Sequence, residues 1–208
     1  MLKRLFLLFI GNTISALAIA MVVNAGLGCF PVTATNLSIS NLTGLSMGVA
    51  GMIVELTMLL LATYKGEGIG LTAILNATYG SLMVDFFRLT IPSHTFMITG
   101  IIILPISWIM MGKAELGDTG SNILMNALLK STGKSIRLIR SIMEVTFLLI
   151  GLLGAAQHVT WFSIVLSLGF GYIVQVIYKL AKYDPTKMNH SFIIKKSSKE
   201  SHKIVKDI

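Results

Sequence analysis

Long apolar runs divide this chain, and short polar segments separate them. Five stretches read as membrane-spanning helices: Leu5–Val23, Met47–Tyr64, Phe96–Met111, Ile136–Leu153 and Thr160–Leu180. A sixth, Ile69–Phe87, has similar length but is diluted by Asn76, Tyr79 and Asp85. At about 1.5 Å per residue, runs of this size come close to crossing a hydrocarbon core of about 30 Å. Phe96–Met111 is short and needs residues from its flanking loops. Two further segments, Pro31–Leu42 and one near Ser121–Ser131, read as short helices. They are too short to span and too apolar for ordinary linkers.

The polar punctuation repeats. Residues 25–61 align without a gap on residues 114–150 at an offset of 89, with eleven identities. These include Ala25/Ala114, Leu27/Leu116, Gly28/Gly117, Thr43/Thr132, Gly44/Gly133, Ser46/Ser135 and Glu55/Glu144. Upstream, Gly11 meets Gly100 at the same offset. Each copy reads as span, glycine-containing turn, short helix, span, span. Pro31 suits a first helical turn. Gly44 and Gly133 suit helix C-termini, and Ser46 and Ser135 suit the caps of the spans that follow. Three spans per copy is an odd number, so two copies in series lie upside down to each other, an arrangement common among transporters. The pattern predicts an all-α integral membrane protein: six transmembrane helices as two inverted three-helix repeats, each with an extra short helix. The repeats run over 1–92 and 93–181, and a basic cytoplasmic tail, read as disordered, over 182–208. The short helices either lie at the interface or re-enter the membrane, which irregular backbone does only beside protein or a watery cavity.

Composition agrees. Hydrophobic residues make up 54% of the 208 and charged residues 12%, against about 25% charged in soluble domains. Mean hydropathy is +0.79. The net charge of +8 is not a nucleic-acid footprint, because its placement follows a membrane rule. With the N-terminus in the cytoplasm, six spans put Lys3, Arg4, Lys65, Lys113, Lys130, Lys134, Arg137 and Arg140 inside and only Arg88 outside, before the lysine-rich tail is counted. That is the positive-inside pattern. The segment 24–46 has no charged residue, while its repeat equivalent 113–135 has five, as expected if one loop faces out and the other in. Lys3 and Arg4 ahead of an apolar run resemble a signal peptide, but the run is longer than an h-region and its counterpart lies mid-chain. A retained first helix is the better reading. The single cysteine, Cys29, allows no internal disulfide.

Buried carboxylates need an explanation, since one at bilayer depth costs at least ~2.5–3.5 kcal/mol unless paired or protonated. Glu55 and Glu144 each lie midway along a span and are equivalent by the repeat. Glu144 follows Arg140 by one turn, so a structural pair competes with a functional role. Glu55 has no basic residue within a turn. Asp85 precedes Arg88 by three residues and reads as a neutralised interfacial pair. Asn122, Asn126 and Lys130 form one polar stripe on the second short helix. His94, His158, His190 and His202 are scattered. No catalytic constellation, phosphate loop, metal cluster or cofactor motif is visible.

The elements Gly26-Leu27-Gly28, Pro31, Thr43-Gly44-Leu45-Ser46 and Thr132-Gly133-x-Ser135-x-Arg137-x-x-Arg140-x-x-x-Glu144 resemble the YczE/YyaS/YitT family of bacterial integral membrane proteins, in its YczE branch. The resemblance runs over most of residues 5–178. It implies a multi-pass protein of the bacterial cell membrane and supplies no substrate. Where that family often has an acidic residue early in each short helix, this chain has Thr33 and Asn122, and Ser121 replaces an expected basic residue.

These readings point to a small-molecule permease or exporter. Glu55 and Glu144 would couple protons or hold a cation, and Gly26, Gly28, Gly117, Asn122 and Asn126 would line the path at the helix breaks. The alternative is a non-transporting accessory or substrate-binding subunit of a larger complex. Expected partners are the lipid bilayer, an unknown small molecule, and a second copy or another membrane protein. No cofactor and no enzymatic activity are expected.

Overall fold

The structure is a computed structural model that describes residues 1–92 and 97–182. The boundary near residue 93, the tail beyond Lys182, the break expected at Asp184-Pro185, and His94, His190 and His202 lie outside the described residues.

Among the described residues the fold is entirely helical: α1 (Leu2–Asn24), α2 (Pro31–Thr43), α3 (Met47–Tyr64), α4 (Leu71–Leu75), α5 (Ser81–Thr90), α6 (Met97–Lys113), α7 (Gly120–Thr132), α8 (Ile136–Ala155) and α9 (Trp161–Leu180). A π-helical turn, Asn76–Gly80, joins α4 to α5, and a 3-10 turn, Ala156–His158, follows α8. Among the described residues three helices are long and apolar enough to cross a membrane: α1, α3, and α8 with its 3-10 extension. α6 is apolar but shorter. Large apolar side chains such as Phe6, Leu60, Leu153 and Leu168 are exposed on the outside, as on a lipid-facing surface.

The helix ends follow local chemistry. Pro31 opens α2, and Gly44 closes it with φ +74°. Gly133 closes α7 with φ +65°. At these C′ positions a Cβ is disfavoured by the left-handed backbone. The Ser46 hydroxyl accepts the Val49 N–H, and the Ser135 hydroxyl accepts the Leu138 N–H. The repeat therefore shares caps as well as letters.

Helix packing relates the copies further. A Cβ on Gly11 would meet Met111 and Ser107 of α6, and one on Gly100 would meet Ala18 and Val22 of α1. Ser107 and Met111 are the offset-89 equivalents of Ala18 and Val22. Each glycine thus touches the other copy's version of the same residues. Residue 11 near 111 and 22 near 100 means that α1 and α6 run antiparallel. The short helices cross over: α2 packs on α8, and its equivalent α7 packs on α3. Gly151 of α8 lies against Ala34, and Thr35 donates its hydroxyl to the Phe147 carbonyl at 2.7 Å. Gly120 at the start of α7 lies against Glu55 and Leu59 of α3. Since lipid tails are as apolar as leucine, close approach at small residues holds such helices better than burial alone.

The glycine turns bind the copies at their rims. Thr160 donates its hydroxyl to the Leu27 carbonyl at 2.7 Å, and Thr72 N–H donates to the Leu116 carbonyl at 3.2 Å. Gly28 packs on Thr160 and Ser163, and Gly117 touches Gly70.

Candidate functional site

A cavity of about 90 Å³ lies between the two halves, room for several waters or a small polar molecule. α1, α2, α3, the 76–84 region, α6, the start of α7 and α8 all contribute to its lining. Its wall is mixed: Ile19, Phe30, Val84, Leu104 and Trp108 are apolar, and Asn12, Asn36, Glu55, Asn76, Arg140 and Glu144 are polar or charged.

The sequence-predicted glutamates both reach it. Arg140 and Glu144 are 4% and 2% exposed, with Nε and Oε1 2.7 Å apart. The expected i,i+4 pair is therefore formed and buried. Arg140 also sits over the Trp108 ring at 5.0 Å and donates from Nη1 to Asn122 Oδ1 at 3.4 Å. Asn122 Nδ2 donates to Asp118 Oδ1 at 2.7 Å, and that oxygen also accepts the Thr119 N–H. A continuous chain, Glu144–Arg140–Asn122–Asp118, forms one rigid side of the site. Tyr178 of α9 reaches the same network through Asn122.

Glu55 differs. It joins none of the ion pairs formed among the described residues. The Gly120 N–H and the Asn76 side chain are directed at its carboxylate, yet Oε2 is buried with no hydrogen bond of good geometry. Gly120 matters here, because the carboxylate approaches where a Cβ would be: Oε2 is 2.5 Å from that point.

The other expected residues fall elsewhere. Asn122 and Asn126 are buried, but Lys130, next on their stripe, is exposed and pairs with Glu67. Asn122 supports Arg140 from behind and is not among the cavity's lining residues, and neither is Asn126. Gly26, Gly28 and Gly117 belong to the turns at the rims rather than to the cavity. The Asp85–Arg88 pair is not formed. Asp85 Oδ1 accepts the Gly48 N–H at 2.8 Å, because the missing Cβ at Gly48 lets the carboxylate reach the α3 backbone. Asn12 and Asn36 line the cavity without having been singled out in the sequence. The signal was present: each is an amide set among apolar and small residues within its helix.

A family model, described as a family of unknown function (DUF6198), matches residues 2–179. The chain belongs to that family. The match takes in every element that lines the cavity of this DUF6198 member. No curated protein and no solved structure matches it. Among its described residues no group of three His, Cys, Asp or Glu is placed to hold a metal ion.

Proposed function

We propose that this protein is a small-molecule permease or exporter of the bacterial cell membrane, coupled to protons or a cation. It would have six spans in two inverted three-span repeats and both termini in the cytoplasm. One observation carries the reading: the two repeat-equivalent glutamates, Glu55 and Glu144, line a single cavity between the halves. Inverted-repeat transporters place substrate and coupling ion at such an interface near the midplane, and move by rocking one half against the other. The reciprocal contacts of Gly11 and Gly100 across the antiparallel α1–α6 pair support inverted halves. The distribution of lysine and arginine supports the orientation, and the likeness to the YczE branch supports the location.

The two glutamates have different parts. Glu144, locked to Arg140 and through it to Trp108 and Asn122, is a fixed wall that shapes the site. Glu55, with no cationic partner, is the group free to exchange a proton or ion. Asn122 and Asp118 position Arg140 and do not meet the substrate.

The test has two parts. In a Cys29→Ala background, Asn36→Cys or Glu55→Cys should react with an impermeant thiol reagent, marking a watery cavity. Proteoliposomes should take up at least one solute from a labelled panel faster than protein-free liposomes, and Glu55→Gln should abolish the dependence on the driving gradient. An unreactive cavity, no uptake and a stoichiometric co-purifying membrane protein would together replace this reading with that of an accessory subunit.

A further inference from the structure

Several residues lining the cavity carry oxygens without a hydrogen-bond donor. Asn12 is fully buried, and its Nδ2 donates to the Leu8 carbonyl at 3.0 Å, which fixes the amide's orientation. Its Oδ1 is left without a partner and lines the cavity. Asn36 Oδ1 is in the same condition, and Glu55 Oε2 has no hydrogen bond of good geometry, although the Gly120 N–H and the Asn76 amide are directed at its carboxylate. Asn76 turns its amide toward Glu55 and its Oδ1 toward Gly80. A Cβ at Gly80 would lie 3.1 Å from Asn12 Oδ1 and 3.3 Å from Asn76 Oδ1, so the two oxygens approach one point from different helices. A buried acceptor without a donor carries a penalty of about 1–3 kcal/mol. Three on residues lining one cavity, in which the Asn12 and Asn76 amides meet at Gly80, call for a common positive occupant.

The local backbone is suited to that. The π turn at Asn76–Gly80 interrupts the hydrogen-bond ladder beside these oxygens. Such turns concentrate at functional sites.

The charges point the same way. Glu55 and Glu144 face the cavity and Asp118 stands behind Asn122, while Arg140 is the cation among them and is paired with Glu144. Hard cations take oxygen ligands, and divalent ones usually need more than one carboxylate. The acceptor side here offers one carboxylate and three amide oxygens. A proton on Glu55 would satisfy that carboxyl and leave the amides as they are.

We infer that Asn12, Asn36, Asn76 and Glu55 form a binding site for a bare monovalent metal cation of the sodium class. The inference deepens the transport reading by naming the coupling ion, but ion binding is measured without transport, so each can fail alone.

The experiment uses the full chain purified in detergent at constant ionic strength, with sodium, potassium or choline chloride. Sodium should raise the melting temperature saturably relative to choline, with potassium at least tenfold weaker, and should change the emission of Trp108, which lines the cavity. Glu55→Gln should remove the response. Asn36→Ala, at a less buried position and so a safer variant for folding, should weaken it at least tenfold while eluting as the wild type does. Identical melting in all three salts, or undiminished sodium binding in both variants, overturns the site. Uptake driven by pH alone, with no sodium response, sinks the cation site and leaves a proton-coupled permease. Sodium binding with no solute uptake leaves the site and sinks the permease.

Discussion

Removing Arg140 should strand Glu144. The guanidinium is 4% exposed and its Nε lies 2.7 Å from Glu144 Oε1. Breaking one side of a buried ion pair typically costs about 3–5 kcal/mol, mostly because the remaining charge has no compensation. Arg140→Gln also loses the stack on Trp108, worth about 0.5–2 kcal/mol. The glutamine amide can still donate one hydrogen bond, so the lower part of the range applies, about 3 kcal/mol in all. For a chain of this length that is a fall of roughly 6–12 °C in melting temperature. Glu144→Gln alone should be milder, because Arg140 keeps Asn122 and Trp108. The informative construction is the double variant, Arg140→Met with Glu144→Met. Replacing both charges with apolar groups of similar volume is often neutral or stabilising, so it should melt within a few degrees of the wild type. Thermal unfolding in one detergent, followed by loss of monodisperse protein, compares wild type, Arg140→Met, Glu144→Met and the double variant, the four corners of one cycle. Additive single effects, or an Arg140→Gln loss below about 1 kcal/mol, would mean that the pair is solvated and that this wall is not rigid.

Three further outcomes follow from other sites. Gly44→Ala and Gly133→Ala force a Cβ onto left-handed backbone with nothing within 4 Å to clash. Each should lose about 1–2 kcal/mol in the same melting assay, and unequal losses would argue against equivalent caps. Gly120→Ala places a Cβ 2.5 Å from Glu55 Oε2 and should lower stability by about 1–3 kcal/mol. That loss should shrink in a Glu55→Ala background, and an unchanged loss would mean that the carboxylate is not the obstacle. Cys29 is 1% exposed, and burial pushes its thiol up to about 12 despite the nearby Ser163 hydroxyl. It should stay protonated and unreactive to Ellman's reagent at pH 8 in folded protein and react fully in SDS; rapid labelling of the native protein would show that the α1–α2 turn opens.

Much of the architecture was readable because it rests on local chemistry. The span Met47–Tyr64 was placed at its observed limits, and the caps at Gly44, Gly133, Ser46 and Ser135 behave as their residue types require. Other features depend on contacts that no spacing encodes. The segment expected as a span over Ile69–Phe87 is helical from Leu71 on but passes through a π turn at Asn76–Gly80, where Asn76 turns toward Glu55 and Gly80 admits two amide oxygens. Asp85 was read as the partner of Arg88 from sequence proximity, but a glycine on another helix gives it a backbone N–H instead. Glu55 and Glu144 were found because a carboxylate in an apolar run stands out. Asn12 and Asn36 are less conspicuous, because an amide in such a run is a weaker signal than a carboxylate, and only the packing shows that their oxygens lack donors. Helix breaks line cavities in transporters, which makes the glycine turns read as path residues in the sequence, whereas in the structure they join the rims.

The exchange of short helices bears on how the chain is made. α2 rests on α8 and α7 on α3, so each half supplies a missing wall of the other. When residues up to 92 have been synthesised, Gly120 has not yet come to cover Glu55, and Ala34 and Thr35 still await α8. Until the second half arrives, Glu55 lacks the cover of Gly120 and Thr35 lacks its acceptor on α8. These contacts predict that assembly is a late step and that neither half folds stably by itself. Severing the chain between α5 and α6 should leave two fragments that are each degraded alone and persist only when produced together.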